Sequence, residues 1–116
     1  MLKKQFRLRN NKDYQKVFKN SRPTYTENLI FRIAKGRGAS RFGFVVSNKI
    51  EKRATRRNSL RRRLRSIVQD LMSEVASGYD VAILVKKDFA FPYKFEDIKG
   101  QVVEGLKKAG AIMPKS

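Results

Sequence analysis

The chain has 116 residues, of which 28 are Lys or Arg and 10 are Asp or Glu, so its formal net charge is +18. It contains no Cys and no His, which excludes a disulfide framework, thiolate or imidazole zinc sites and the commonest general base. Its length predicts a single domain, residues 1–116, and its charge predicts a polyanionic partner, with nucleic acid the first candidate and an anionic membrane the second. No segment approaches the roughly 20 apolar residues of a membrane span, and the N-terminus does not read as a signal peptide. We therefore expect a cytoplasmic protein.

The first predicted element is a short helix after a basic lead-in, residues 1–9. Asn10 and Asn11 are good caps, and the helix should end near Asn20, before a proline. Tyr14 and Phe18, at i and i+4, lie on its apolar stripe together with a valine. An aromatic pair at this spacing more often belongs to a protein core, so the residues alone favour that interpretation.

Residues 22–48 are predicted to be extended chain. A short edge strand around Arg22 to Tyr25 tolerates its proline, and the stretches NLIFRIAK and RFGFVVSNK form two longer strands around a Gly-bearing loop, residues 36–40. Alternation assigns one face of these strands to the core: Leu29, Phe31, Ile33, Phe42, Phe44 and Val46. The opposite face is small or basic, and we expect it to be open to something other than the core.

The second half of the chain predicts helix, strand, helix. A long helix should run from about Arg56 to Ala76, and YDVAILVKK (79–87) is apolar enough for a central strand covered on both faces. A last helix covers 95–110, and residues 111–116 are expected to be a loose tail. The order α-β-β-β-α-β-α predicts an α+β sandwich with a mixed sheet of about four strands and three helices, in which 41–87 is a β-α-β unit.

The stretch TRRNSLRRRLRSI (55–67) is the most unusual part of the chain, with six arginines and no acid in thirteen residues. Cations gathered at a helix start oppose the macrodipole, at a cost of roughly 0.3–1 kcal/mol each. The positive helix end and forked guanidinium groups together favour phosphate binding. An in-plane membrane helix would need its apolar stripe exposed, but the core needs that stripe here, so the pattern favours nucleic acid over a membrane.

The stretch RFGFVVSNKIEKRATRRNSLRRRLR resembles the signature region of the bacterial ribonuclease P protein subunit, where a strand ending in Val-Ser-x-Lys leads into an Arg-Asn-Arg helix start. NKDYQKVFKN resembles that family's first helix, and the similarity extends over roughly residues 4–110. The motif here reads Arg57-Asn58-Ser59, with serine in place of the second arginine. The resemblance implies a ribosomal-protein-S5-domain-2-like fold with a left-handed β-α-β crossover.

The resemblance also implies a function. Such proteins assist a catalytic RNA that removes the 5′ leader from precursor tRNA by phosphodiester hydrolysis, with Mg²⁺ held mainly by the RNA. The implied partners are ribonuclease P RNA and precursor tRNA, with no membrane, and the protein itself is expected to be a monomer. The residues agree that the chain supplies no catalytic group and no metal ligands, because its ten acids are scattered.

Two sets of site residues follow from the resemblance. Those expected to contact the catalytic RNA are Lys52, Arg53, Arg56, Arg57, Asn58, Arg61, Arg62 and Arg65. Those expected to line a cleft for the leader are Tyr14, Phe18, Ile30, Arg32, Val45 and Ser47, with Arg32 where relatives often carry an aromatic residue. The alternatives are a ribosomal protein of related fold, a general basic RNA-binding or chaperone protein and, with little support, an independent nuclease.

Overall fold

Helices and strands follow one another in the order that the sequence predicts. The computed structural model describes residues 3–112. Its elements are α1 (Asn11–Asn20), β1 (Arg22–Tyr25), β2 (Leu29–Lys35), β3 (Arg41–Val45), α2 (Ala54–Leu71), β4 (Tyr79–Val85) and α3 (Phe95–Lys108). Single 3-10 turns lie at Lys4–Phe6 and Met72–Glu74. The predicted α+β class is confirmed.

The four strands form one mixed sheet in the order β1-β2-β4-β3. β2 pairs antiparallel with β1 and β4, while β3 pairs parallel with β4. β4 is therefore an inner strand between β2 and β3, and α2 is the crossover between two parallel neighbours, as predicted for residues 41–87. β2 and β3 do not pair with each other, because β4 lies between them.

The main core lies between one face of this sheet and the pair of helices α2 and α3. The predicted core residues of β2 and β3 point into it, and Phe31 and Phe42 are fully buried. The apolar stripe of α2 meets them through Leu60, Leu64, Ile67, Val68 and Leu71. Gly105 allows α3 to approach closely, because a Cβ atom at this position would collide with the Phe31 ring.

The opposite face of the sheet is covered only in part, by α1. Val17 is buried there against Leu8, Ala34 and Ala82. Asn10 caps the helix as predicted, since its side-chain oxygen accepts a hydrogen bond from the Asp13 amide at 2.9 Å. The expectation that β4 is covered on both faces is wrong at one end, because α1 leaves Leu84 half-exposed.

The ends of α2 differ from the prediction. The helix begins at Ala54, earlier than expected, and ends at Leu71 rather than at residue 76. Its last predicted turn unwinds because Val75 forms a β-bridge with Ile112, and the Ala76 amide donates to the Ala111 carbonyl at 2.8 Å.

Both ends of the described chain pack more tightly than expected. Ala111 and Ile112 are buried, so the structure contradicts a loose tail beginning at 111; residues 113–116 lie outside the described range. The lead-in also contributes to the fold, because Leu8 is buried and its amide donates to the Phe42 carbonyl at 2.8 Å. The lead-in thus extends the sheet beyond β3.

Candidate nucleic-acid interface

The exposed surface of α2 carries the arginines that the sequence singled out. There is no acid in its first turn and no base in its last turn, so the charge distribution opposes the helix dipole as predicted. Arg62 is exposed on the surface of the helix. The Arg61 guanidinium donates to the side-chain oxygen of Asn58, which fixes both side chains on one flank.

Arg57 differs from its neighbours because it turns toward the protein. Its Nη1 donates to the Glu51 carbonyl at 2.9 Å and to the Lys52 carbonyl at 2.8 Å. The Arg53 amide donates to the Glu51 carboxylate at 2.9 Å, while the Arg53 side chain remains mostly exposed. Arg57 therefore holds the loop before α2 in place, and Lys52 and Arg53 stay available to solvent.

Arg65 of α2 lies near Tyr14 of α1. Its Nε is buried and has no hydrogen-bond partner among residues 3–112. Burial lowers the pKa of its guanidinium, with further lowering by the charges of Arg7 and Arg61. The positive charges of Arg7 and Arg61 therefore lie near enough to Arg65 to disfavour its charged form.

Tyr14 lies beside this cluster. Burial raises the pKa of its hydroxyl, opposed by a hydrogen bond with the Phe44 backbone and by the charges of Arg65 and Arg61. Its ring crosses β3 directly above Gly43, where a Cβ atom would collide with it. The predicted contacts to the catalytic RNA and the predicted cleft therefore meet at Tyr14 and Arg65.

The predicted cleft is an uncovered row of side chains across the sheet. Ile30 of β2 pairs with Leu84 of β4, which pairs in turn with Val45 of β3. All three side chains point toward the α1 face and are half-exposed. Ser47 follows β3 and is exposed at the end of this row.

The aromatic residues of α1 border the row, and neither is fully buried. Phe18 keeps 38% of its surface exposed, Tyr14 is half-buried, and the ring centroids are 6.3 Å apart. The Arg32 guanidinium lies 6.0 Å from the Phe18 centroid. The core role that the residues alone favour therefore does not hold for Phe18, because Val17 makes the buried contact of this helix.

Sequence reasoning missed three members of this surface: Tyr25, Leu84 and Lys86. Tyr25 pairs with Ile30, so it extends the row onto β1, where 51% of its surface is exposed. The Lys86 ammonium lies 5.3 Å from the centroid of its ring. Strand alternation could have found Tyr25 and Leu84, since both share a face with Ile30 once the pairing is known.

Within residues 3–112, no group of three or more His, Cys, Asp or Glu side chains lies close enough together to hold a metal ion. One carboxyl pair, Glu51 and Asp88, lies beneath the start of α2. Burial raises the pKa of Asp88, which is hydrogen-bonded to Glu51, whereas the Arg53 amide lowers the pKa of Glu51. The pair joins the β4–α3 loop to the loop before α2.

No helix within 3–112 is long and apolar enough to cross a membrane.

Comparison with known proteins identifies the family. The family model described as Ribonuclease P matches residues 2–110. A ribonuclease P protein component of Synechocystis sp. is 37% identical over 86 residues, covering 72% of this chain and 69% of the relative. One of Syntrophomonas wolfei is 30% identical over 111 residues, covering 95% and 92%.

Solved structures share the fold. The ribonuclease P protein from Thermotoga maritima is 27% identical, with a TM-score of 0.79 over 88% of this chain and 96% of that one. The protein from Staphylococcus aureus is 20% identical, with a TM-score of 0.82 over 92% and 97%. At that lower identity the likeness concerns the fold alone.

Proposed function

Because the chain belongs to the ribonuclease P protein family, we propose that it assists a ribonuclease P RNA in removing the 5′ leader from precursor tRNA. The protein binds two parts of the reacting complex: the exposed surface of α2 binds the catalytic RNA, and the row between α1 and the sheet binds the single-stranded leader. The chain acts as a monomer in the cytoplasm. It belongs to an endoribonuclease that is a ribonucleoprotein, and the catalytic centre lies in the RNA.

One observation carries this proposal: the arginine helix and an open face with aromatic residues at its border adjoin each other at Tyr14 and Arg65. Guanidinium groups bind phosphates, whereas aromatic rings stack on unpaired bases with little sequence preference, at about 1–3 kcal/mol per base. A leader varies in sequence but is always single-stranded near the cleavage point. A surface that combines both contacts suits such a ligand.

The chemistry of hydrolysis belongs to Mg²⁺ on the RNA in this proposal. Hydrolysis of a phosphodiester by metal-activated water needs oxygen ligands for the ions, and phosphates of the RNA provide them. The protein's contribution is to hold the substrate and to neutralise phosphates, which lowers the Mg²⁺ concentration that the RNA needs.

Reconstitution tests the proposal. A bacterial ribonuclease P RNA transcript is incubated with precursor tRNA at low Mg²⁺, with and without the purified protein. We expect cleavage at the mature 5′ end only when both RNA and protein are present. A matched sample with a basic protein of equal charge separates specific help from charge neutralisation.

The outcomes also distinguish the alternatives. If the protein binds RNA but stimulates cleavage no better than the basic control, it is a general RNA-binding or ribosomal protein. If the protein alone cuts precursor tRNA, the catalytic centre lies in the chain and the proposal is wrong.

A further inference from the structure

Phe91 is the most exposed large hydrophobic residue within residues 3–112, and neither predicted set of RNA contacts includes it. It lies in the loop between β4 and α3, with 54% of its surface open to solvent. The Arg56 guanidinium lies over its ring, 3.6 Å from the centroid. Arg56, which the resemblance predicts to contact the catalytic RNA, therefore makes a cation–π contact with a ring that is distant in the sequence.

The loop that carries Phe91 is firmly attached. Asp88 at its start accepts a bond from the Phe89 amide at 2.9 Å and one from the Tyr93 hydroxyl at 3.3 Å. The Asn28 side chain donates to the Asp88 carbonyl at 3.0 Å. Tyr93 is buried and packs edge to face with Phe91, with ring centroids 5.3 Å apart. Phe91 is thus a fixed aromatic surface rather than a side chain on a loose loop.

The stack lies on a different flank of α2 from the leader row. Arg56 precedes Asn58 by two residues, which turns it about 200° around the helix axis. Asn58, Arg61 and Arg65 occupy the flank near Tyr14. A leader bound between α1 and the sheet would therefore meet the flank of α2 near Tyr14, whereas an RNA lying across the start of α2 would meet Arg56 and Phe91.

The surroundings of the stack favour an anionic ligand. Lys52 and Arg53 are exposed before α2, and Lys94 is exposed beyond the loop. No carboxylate of residues 3–112 lies within 4 Å of the Arg56 guanidinium. Glu51 and Asp88 lie close by but face each other and the amides named above. A guanidinium that lies over a ring can still present N–H groups to a phosphate or a base edge.

We propose that the Arg56–Phe91 stack binds an unpaired nucleotide of the catalytic RNA, whose base stacks on the exposed part of the Phe91 ring while Arg56 bonds to its phosphate or base edge. This inference rests on the proposed function and adds a contact based on stacking to a helix otherwise dominated by charge. The site lies where α2 begins, so it fixes the position of the RNA along the helix axis. Charge alone would leave that position variable.

Affinity for a bacterial ribonuclease P RNA transcript tests the site. Phe91→Leu keeps an apolar side chain but removes the aromatic face, and we expect about 5-fold to 150-fold weaker binding, the range for one stacked base. The dependence of affinity on salt should keep its slope, because no charge is lost. Phe95→Leu is the matched control: Phe95 is 43% exposed, and its ring lies by Lys99 of the same helix. Its affinity should stay within about twofold of the unchanged protein, since no stacked base is removed.

Fluorescence gives a direct readout. The chain has four tyrosines but no tryptophan, so Phe91→Trp introduces a single tryptophan, which retains an aromatic face and can be excited selectively. We expect unchanged affinity and quenched emission when the transcript is added. A leader oligonucleotide alone should not quench it.

Three results would overturn the inference. One is unchanged affinity in Phe91→Leu, and another is equal loss in Phe91→Leu and Phe91→Trp, which would indicate packing rather than stacking. Quenching by the leader oligonucleotide would assign the site to the substrate instead.

If the unchanged protein fails to stimulate cleavage in the reconstitution, the proposed function fails and this inference fails with it. If it stimulates cleavage while Phe91→Leu binds normally, only the inference fails.

Discussion

Two adjacent residues of α1 differ in burial and in the contacts they make. Val17 is buried against the sheet, and Phe18 remains on the surface beside Arg32. An amphipathic helix with a single stripe would bury both, but α1 lies close to the edge of the uncovered row. Stability and ligand binding can therefore be changed separately at these two positions.

Phe18→Ala should weaken binding of precursor tRNA to the complex of protein and catalytic RNA. We expect a loss of about 1–3 kcal/mol if one leader base stacks on the ring. Mature tRNA, which has no leader, should bind as before. The measurement is the ratio of the two dissociation constants, and a loss shared equally by both would contradict the assignment of Phe18 to the leader.

Val17→Ala is the matched control for that experiment. It removes buried apolar volume, so it should lower the free energy of unfolding by about 1–3 kcal/mol. Thermal melting distinguishes the two variants, since Phe18→Ala exposes no core and should melt near the unchanged protein.

Ser59 stands where the resemblance leads us to expect an arginine, and its hydroxyl is bonded within α2. The Arg63 Nε donates to the Ser59 hydroxyl at 3.3 Å, one turn along the same flank. A guanidinium therefore still reaches the neighbourhood of residue 59, although it comes from a different position. Arg63 thus supplies a positive charge close to residue 59.

The Glu51–Asp88 pair gives stability a pH dependence. Burial and the neighbouring Glu51 raise the pKa of Asp88, so the folded state holds its proton more tightly than the unfolded state. The stability from this group is fully present below the ordinary aspartate value of about 4 and is lost as the pH rises through the raised pKa. At neutral pH the ionised Asp88 therefore destabilises the fold.

Asp88→Asn should relieve this effect, because an amide can donate to Glu51 without carrying charge. We expect a higher melting temperature than the unchanged protein at pH 7, and a difference that shrinks as the pH falls toward about 4. Melting curves across this range check it. A difference that grew on acidification would contradict the raised pKa of Asp88.

At the scale of elements, α2 carries arginines that are exposed to solvent and one arginine, Arg57, that bonds to the loop before the helix. Arg62 is exposed, whereas Arg57 donates to two loop carbonyls. Their substitution should therefore have different consequences, although both carry the same charge in the same motif.

Arg62→Ala should weaken binding of the catalytic RNA and reduce the slope of log affinity against log salt by roughly 1, with little change in melting temperature. Arg57→Ala should weaken binding too, but it should also lower the melting temperature, because two carbonyls lose their donor. Equal melting temperatures for the two variants would contradict the structural role of Arg57.

The sequence predicted the order of elements because each has a strong period or a clear cap, such as Asn10 before α1 and the apolar stripe of α2. It could not predict where α2 ends, since Val75 leaves the helix to pair with Ile112, a contact distant in sequence. For the same reason it missed Phe91, which contacts Arg56 although the two residues are 35 positions apart in the sequence. The role of Phe91 depends on which helix lies beside it, and hydrophobic periodicity contains no such information.

At the scale of the whole molecule, the net charge of +18 is the dominant property. Four side-chain ion pairs are seen among residues 3–112, and one of them spans a single turn of α3. Because 28 Lys and Arg face 10 Asp and Glu, the chain has too few carboxylates to neutralise most of its positive charge. Self-repulsion of this kind lowers the stability of the compact state.

Anions that bind the folded protein should raise its melting temperature by mass action. We expect sulfate or phosphate at tens of millimolar to raise it by several degrees, since about 1 kcal/mol corresponds to about 4–8 °C in a domain of roughly this size. Sodium chloride at equal ionic strength is the control for general screening. A melting temperature indifferent to the choice of anion would argue against specific anion sites on the fold.

The position of β4 between β2 and β3 has a consequence for how the protein is made. During synthesis the ribosome releases β2, β3 and the arginine helix before residues 79–85, yet neither β2 nor β3 can complete its pairing until that strand arrives. A growing chain thus displays six closely spaced arginines from 55–67 before it has the row that holds Ile30, Leu84 and Val45 together. The positively charged segment is therefore synthesised before the strand that completes the open face of the sheet.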